Sequence, residues 1–213
     1  KALTAPRFTG HAAGAETPRA ESLVVHYDTT VDSVVAGSTV VDISGQGNNG
    51  TLLNESGSGV TYDSAGRYFD FHGTGNTGDY VSAVMSNPSG AWTFTLSVWF
   101  KMDELQSGLG SPTLTGNRRS IFHFREDRTT PLTYAFTEVR DSYMTFSFGD
   151  SGNLNSTDFA PKQNTWHHMV VSYGGSAGTA KVFIDNVDYT SYITWTTGTL
   201  SLAENETLNT GRD

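Results

Sequence analysis

A retaining glycoside hydrolase needs two carboxylates on one face, about 5 Å apart, one to protonate the leaving oxygen and one to attack. The acidic residues here do not fall in that pattern. Asp103-Glu104 and Glu126-Asp127 are adjacent pairs, and neighbours on a strand point to opposite faces. Glu138 and Asp141 are three apart, which on a strand also separates them. The six histidines are His11, His26, His72, His123, His167 and His168. Only His167 and His168 are adjacent, and a period of two directs them apart, so they do not chelate one zinc together. His26, His123 and one of that pair read as half-buried strand residues bonded to backbone. No G-x-S-x-G elbow occurs, and there is no cysteine, so neither thiolate chemistry nor a disulfide framework is available. These residues point to a protein that binds or builds and is not an enzyme.

Three patterns could bind. The run Asp42-Ile-Ser-Gly-Gln-Gly-Asn48-Asn49 gathers carboxylate, amide and carbonyl oxygens in one turn, and Asn76-Thr-Gly-Asp79 adds more; a calcium ion prefers such oxygens. The same residues cap turns through their own backbone, and both readings stay open. The second pattern is aromatic. Trp99 lies on the Thr/Ser side of its strand, and Trp195 is flanked by threonines. With Arg125, Tyr134 and Tyr143 they could line one concave sheet, rings stacking on sugar faces and planar polar groups reading hydroxyls. A loop covering Trp99 is the plainer alternative, and Trp166 reads as core. The third pattern is a set of N-glycosylation sequons at Asn49, Asn54, Asn155 and Asn205, usable on a glycosylating secretory route.

The elements that must carry these residues are strands. Hydrophobic residues make up 36% and charged residues 16% of the 213, both low for a soluble domain, at roughly 45–50% and 25%. Aromatic residues at 12% still suffice for a core. In TFTLSVWFK, Phe94, Leu96, Val98 and Phe100 alternate with Thr93, Thr95, Ser97 and Trp99, which places the first set on one face. Other strands are expected at Leu23–Tyr27, Thr39–Ile43, Thr51–Leu53, Val60–Tyr62, Tyr68–Phe71, Tyr80–Val84, Ser120–Phe124, Thr133–Arg140, Tyr143–Phe148, His167–Tyr173, Thr179–Asp185 and Ile193–Thr197. Gly/Asn/Asp/Ser turns separate them. The expected fold is all-β, two antiparallel sheets in a sandwich. Residues 1–21, rich in Ala, Gly, Thr and Pro, read as an arm or linker before a domain over 22–213. The net charge, 13 − 22 = −9, argues against nucleic acid and anionic surfaces as partners. No apolar run approaches the ~18 residues of a membrane span, so no membrane insertion is expected.

Several segments fall in a collinear order that resembles a known family. VDISGQGNNGTL, YFDFHGTGNTGDYVSA, WTFTLSVWFKMDE, NTWHHMVVSYGGSAGTAKVFIDN and ETLNTGRD together resemble laminin-G-like, concanavalin-A-like lectin/glucanase jelly-roll domains. Two departures are His72 before Gly73 and Asn186 where glycine is usual; asparagine still permits a left-handed turn. The resemblance implies a jelly-roll sandwich and one structural Ca²⁺ on Asp42, Asn48 and Asp79. The Glu-x-Asp-x-x-Glu strand of the fold's glycanases is not present here. It also implies a further strand after ETLNTGRD, so that this domain lacks its last strand and Leu23–Tyr27 offers an open edge for a neighbouring subunit to complete. The expected function is a recognition or adhesion module, extracellular or on a particle surface, binding glycan or protein. The alternatives are a structural subunit of a virion shell, fibre or filament, and a glycoside hydrolase with an unrecognised site.

Overall fold

Alternation of large apolar with small hydroxyl side chains gives the longest strands one oily and one wet face, and two such sheets bury their oily faces together. The computed structural model describes residues 23–54, 59–71, 79–85, 90–91, 93–102, 119–125, 134–140, 143–148, 155–156, 159, 161–175, 179–192, 201–202 and 206–210. The strands in chain order begin with β1 (Val35–Ala36), β2 (Thr39–Val40), β3 (Gly50–Asn54), β4 (Thr61–Asp63), β5 (Tyr68–Asp70) and β6 (Asp79–Met85). Next come β7 (Gly90–Ala91), β8 (Thr93–Lys101), β9 (Arg119–Arg125), β10 (Tyr134–Arg140), β11 (Tyr143–Phe148) and β12 (Asn155–Ser156). The last are β13 (Trp166–Gly174), β14 (Lys181–Ile184), β15 (Val187–Asp188), β16 (Ser201–Leu202) and β17 (Glu206–Thr210). Among the described residues no helix is long and apolar enough to cross a membrane.

One sheet has nine strands in the order β1-β2-β3-β6-β17-β9-β10-β11-β12, and the other has four, β15-β14-β13-β8. Every pairing is antiparallel. The ribbons β4–β5 and β7–β16 stand apart from both sheets. The core lies between the two large sheets. Met85, Phe122, Met144, Phe146 and Leu208 from the nine-stranded sheet meet Phe100, Met169, Val171, Tyr173, Val182 and Ile184 from the four-stranded one. Phe94, Leu96 and Val98 pack against this cluster, while Thr95, Ser97 and Trp99 are exposed. The expected register of β8 is therefore the observed one. A smaller cluster of Val34, Val40 and Val81 sits under Tyr27, Leu52, Tyr62 and Phe69.

Two expectations need correction. Leu23–Tyr27 is not a strand. One backbone bond, Ile43 N–H to His26 C=O at 2.9 Å, is not continued into a ladder, and side chains of the Asp42 turn supply further partners: His26 N–H donates to Asp42 Oδ1 at 2.8 Å, and Val24 C=O accepts from Asn48 Nδ2 at 2.7 Å. Val24 and Val25 nevertheless pack on the main core. Trp166, expected inside, stands on the outer side of its sheet, because His167 beside it takes the inward position. It packs edge-on against Tyr68 at 5.8 Å, and the Lys101 ammonium lies over both rings at 5.2 and 5.7 Å. The arm over residues 1–21 and the Ile193–Thr197 segment lie outside the described residues.

Candidate functional site

The outward face of the four-stranded sheet carries an aromatic platform. Trp99 of β8 is opposite His168 of β13 in the register. Their rings stack, 4.8 Å between centroids and 21° between planes, and Trp99 keeps 39% of its surface exposed. His168 Nε2 and Ser97 Oγ share a hydrogen bond at 2.9 Å, which fixes the imidazole plane under the indole. Further along, the Thr95 and Ser172 hydroxyls face each other at 3.5 Å, continuing a hydroxyl-lined strip beside the rings.

Burial pushes the His168 imidazole below its ordinary range, and the Asp185 charge only partly offsets this. This favours the neutral imidazole at pH 7, an uncharged aromatic plate. A lowered folded-state value means the unfolded chain binds more protons in the window just below the ordinary histidine value. Stability is then fully present above about pH 6.5 and falls as the pH drops through that window. His168→Gln should flatten this part of the profile, as read by urea unfolding between about pH 7 and 5.

The adjacent histidine is inward and built into the hairpin. His167 is 4% exposed, between Phe100 at 5.6 Å and the edge of Phe159 at 5.1 Å. Its Nε2 accepts from Lys162 N–H at 3.0 Å, so Nδ1 carries the proton and donates to Asp185 Oδ2 at 2.7 Å. Asp185 Oδ1 accepts from His168 N–H at 2.9 Å. Asp185 and Asn186 both have left-handed backbone, φ 52° and 67°, the two-residue turn that matches the twist of paired strands. Asn186 thus does what glycine would, and the carboxylate beside it ties the turn to β13.

The Asp42 turn is a clamp. Asp42 Oδ1 accepts from His26 N–H and Ser44 N–H, and Oδ2 from Ser44 Oγ–H and Asn48 N–H, at 2.8–2.9 Å. Asn49 Oδ1 in turn accepts from Asp42 N–H at 2.9 Å. Burial raises the carboxyl, but these donors outweigh it and hold Asp42 below the usual carboxylate range. Gly45 and Gly47, at φ 89° and 77°, let the loop fold back. A Cβ on Gly50 would stand 2.6 Å from Val81 and 2.8 Å from the Tyr27 hydroxyl, so only glycine lets β3 leave the turn so closely. A carboxylate has about four lone-pair sites, and donors of the chain fill four here. Asp42→Ala should cost about 2–4 kcal/mol by leaving three backbone N–H groups unpaired, equally with and without EDTA. Destabilisation by EDTA that Asp42→Ala erases would instead assign the turn to a bound cation.

A family profile described as the concanavalin A-like lectin/glucanases superfamily matches residues 75–213. The chain belongs to this superfamily. No curated protein sequence matches it. Among solved structures, domain 4 of AbnA, a GH43 extracellular arabinanase from Geobacillus stearothermophilus, in complex with arabinotriose, aligns with a TM-score of 0.55 at 12% identity, over 89% of this chain and 83% of that one. A structure of botulinum neurotoxin type C, whose cell entry is described as dependent on interaction with two ganglioside molecules, aligns with a TM-score of 0.56 at 14% identity. It covers 84% of this chain, which spans only 41% of the toxin chain. At these identities the likeness is one of fold.

Within this superfamily fold the residues singled out from sequence divide between sheets. Trp99 is on the platform. Arg125 and Tyr134 are direct register partners, but on β9 and β10 of the nine-stranded sheet, so they do not share a sheet with Trp99 as expected. Position 143 begins β11 of that sheet, and Trp195 lies outside the described residues. Asp42 and Asn48 share one turn, whereas Asp79 is completely buried at the start of β6, in register with Asn54. Of the sequon asparagines, Asn49 is exposed, Asn54 and Asn155 are in β3 and β12, and Asn205 lies outside the described residues. Asp103, Glu104, Glu126, Asp127 and Asp141 also lie outside them. Sequence reading named His168 and Ser97 without assigning either to the site, and passed over Phe183. The signal for them was present: each has the outward parity of its strand.

Proposed function

We propose that this chain is a non-catalytic glycan-recognition module of an extracellular or particle-surface protein, with Trp99 at the centre of its site. The observation that carries this reading is the exposed Trp99 ring, held by its stack on a neutral His168 and flanked by hydroxyls of Ser97, Thr95 and Ser172. An aromatic face gives the C–H face of a sugar ring apolar contact, and fixed hydroxyls exchange hydrogen bonds with its rim. The platform is largely pre-formed, because Trp99, Ser97 and His168 constrain one another, so little ordering is left for the ligand to impose. The reading is supported by the arabinanase domain solved with arabinotriose and by the toxin described by its gangliosides, both on this fold. The test is binding of the whole chain to an array of neutral and acidic oligosaccharides, with each bound glycan then incubated and assayed for new reducing ends. Retention of at least one glycan family without cleavage is expected. Cleavage abolished by a single carboxylate substitution, or no retention at all, would overturn the proposal.

A further inference from the structure

The platform does not end at His168. His168, Val170, Phe183 and Asn186 line a depression of about 160 Å³ on the same outward face. Phe183 points there because Val182 and Ile184, its neighbours on β14, are both fully buried on the other side. Val170 is opposite Ser97 on one side and Phe183 on the other, so the register runs Ser97–Val170–Phe183 straight across three strands. Trp99 on β8 and Phe183 on β14 are therefore two strand spacings apart, ~9.6 Å across the sheet, with His168 on β13 between them and belonging to both platform and depression. That is longer than one sugar ring.

Charge around the depression is acidic. Asp185, the chain neighbour of Asn186 in the turn, leaves 43% of its side chain exposed, and Asp188 is opposite Phe183 in the register. The Thr190 hydroxyl and N–H hold the Asp188 carboxyl below the usual carboxylate range, with a smaller contribution from Lys181, an exposed cation two residues before Phe183. The wall is thus half apolar, half hydrogen-bonding, and unfavourable to an anion. We propose that this depression is a second sugar subsite, and that the ligand is a neutral oligosaccharide laid across the strands from Trp99 to Phe183. This rests on the glycan-binding reading above. Phe183 and Val170 meet the C–H face of the second ring, the Asn186 amide exchanges hydrogen bonds with its hydroxyls, and the remaining lone pairs of the Asp185 carboxylate accept from them.

The experiment titrates the full chain with arabino-, xylo- and gluco-oligosaccharide ladders of one to four units. The wild type should bind at least one ladder about tenfold more tightly as a trimer than as a monomer. Phe183→Ser should erase that gain and leave monomer affinity unchanged. Asn186→Gly, which keeps the left-handed turn, should reduce the gain several-fold and controls for misfolding. If both variants keep the full gain while Trp99→Ala loses binding, the second subsite is wrong and the platform stands. If Trp99→Ala binds every ladder as the wild type does, the platform itself is wrong. A preference for uronic-acid or sialylated ladders over neutral ones overturns the subsite as drawn here.

Discussion

Phe100→Ala should lower the stability of this domain by roughly 3–5 kcal/mol, the cost of removing a buried phenylalanine and leaving a cavity. Phe100 is 8% exposed and sits in the main cluster with Met169, Val171 and Ile184. It also borders the ring of His167 at 5.6 Å, so the cavity opens next to the Asp185 clamp that holds the β14–β15 turn. A domain is stable by only about 5–15 kcal/mol, and the variant should unfold at a visibly lower denaturant midpoint. Thr95→Ala, five residues earlier and on the exposed side of the same strand, should stay within about 0.5 kcal/mol of the parent. Equal losses at both positions would mean that β8 has no buried face, and the sandwich described here would be wrong.

How much of this was legible in the sequence depends on the range of the interactions involved. The strand TFTLSVWFK declares its own register, because each side chain's face follows from its neighbour's, and the structure agrees from Phe94 to Phe100. Tyr143–Phe148 is bounded as expected for the same reason. Leu23–Tyr27 has equally apolar residues but becomes no strand. Its backbone partners are side chains of Asp42, Ser44 and Asn48 and the backbone N–H of Ile43, about twenty residues away, and no local pattern announces that. The Asp42 turn was visible as a cluster of oxygens. Whether the oxygens face a cation or N–H groups is decided by where Val24 and His26 lie, which is a tertiary fact.

The site divides in the same way. Trp99 was legible as the odd large residue on a row of small hydroxyls. That Arg125 and Tyr134 belong to the opposite sheet was not, because sheet membership is set by β17 pairing between β6 and β9, far apart in the chain. His168 lay in plain view beside His167. Its use as a plate under Trp99 needs the β8–β13 register, which the alternation of either strand alone does not supply. Trp166 shows the converse: its aromatic character suggested core, but parity with the buried His167 sends it outward under Tyr68 and Lys101.

In the proposed function Trp99 makes the sugar contact. The indole is a large apolar group, 39% exposed, and losing an aromatic stack of this kind weakens binding by about tenfold or more. The indole adds little to folding, since its strand is anchored by Phe94, Leu96, Val98 and Phe100 on the other side. Binding and stability should therefore separate at this residue. The direct measurement is calorimetric titration of the wild type, Trp99→Phe and Trp99→Ala with the tightest neutral oligosaccharide from the array, alongside unfolding of each in urea. The three proteins should lie within about 1 kcal/mol in stability, with affinity intact or slightly reduced for Trp99→Phe and at least about tenfold weaker for Trp99→Ala. Undiminished binding by a folded Trp99→Ala would contradict a sugar contact at Trp99.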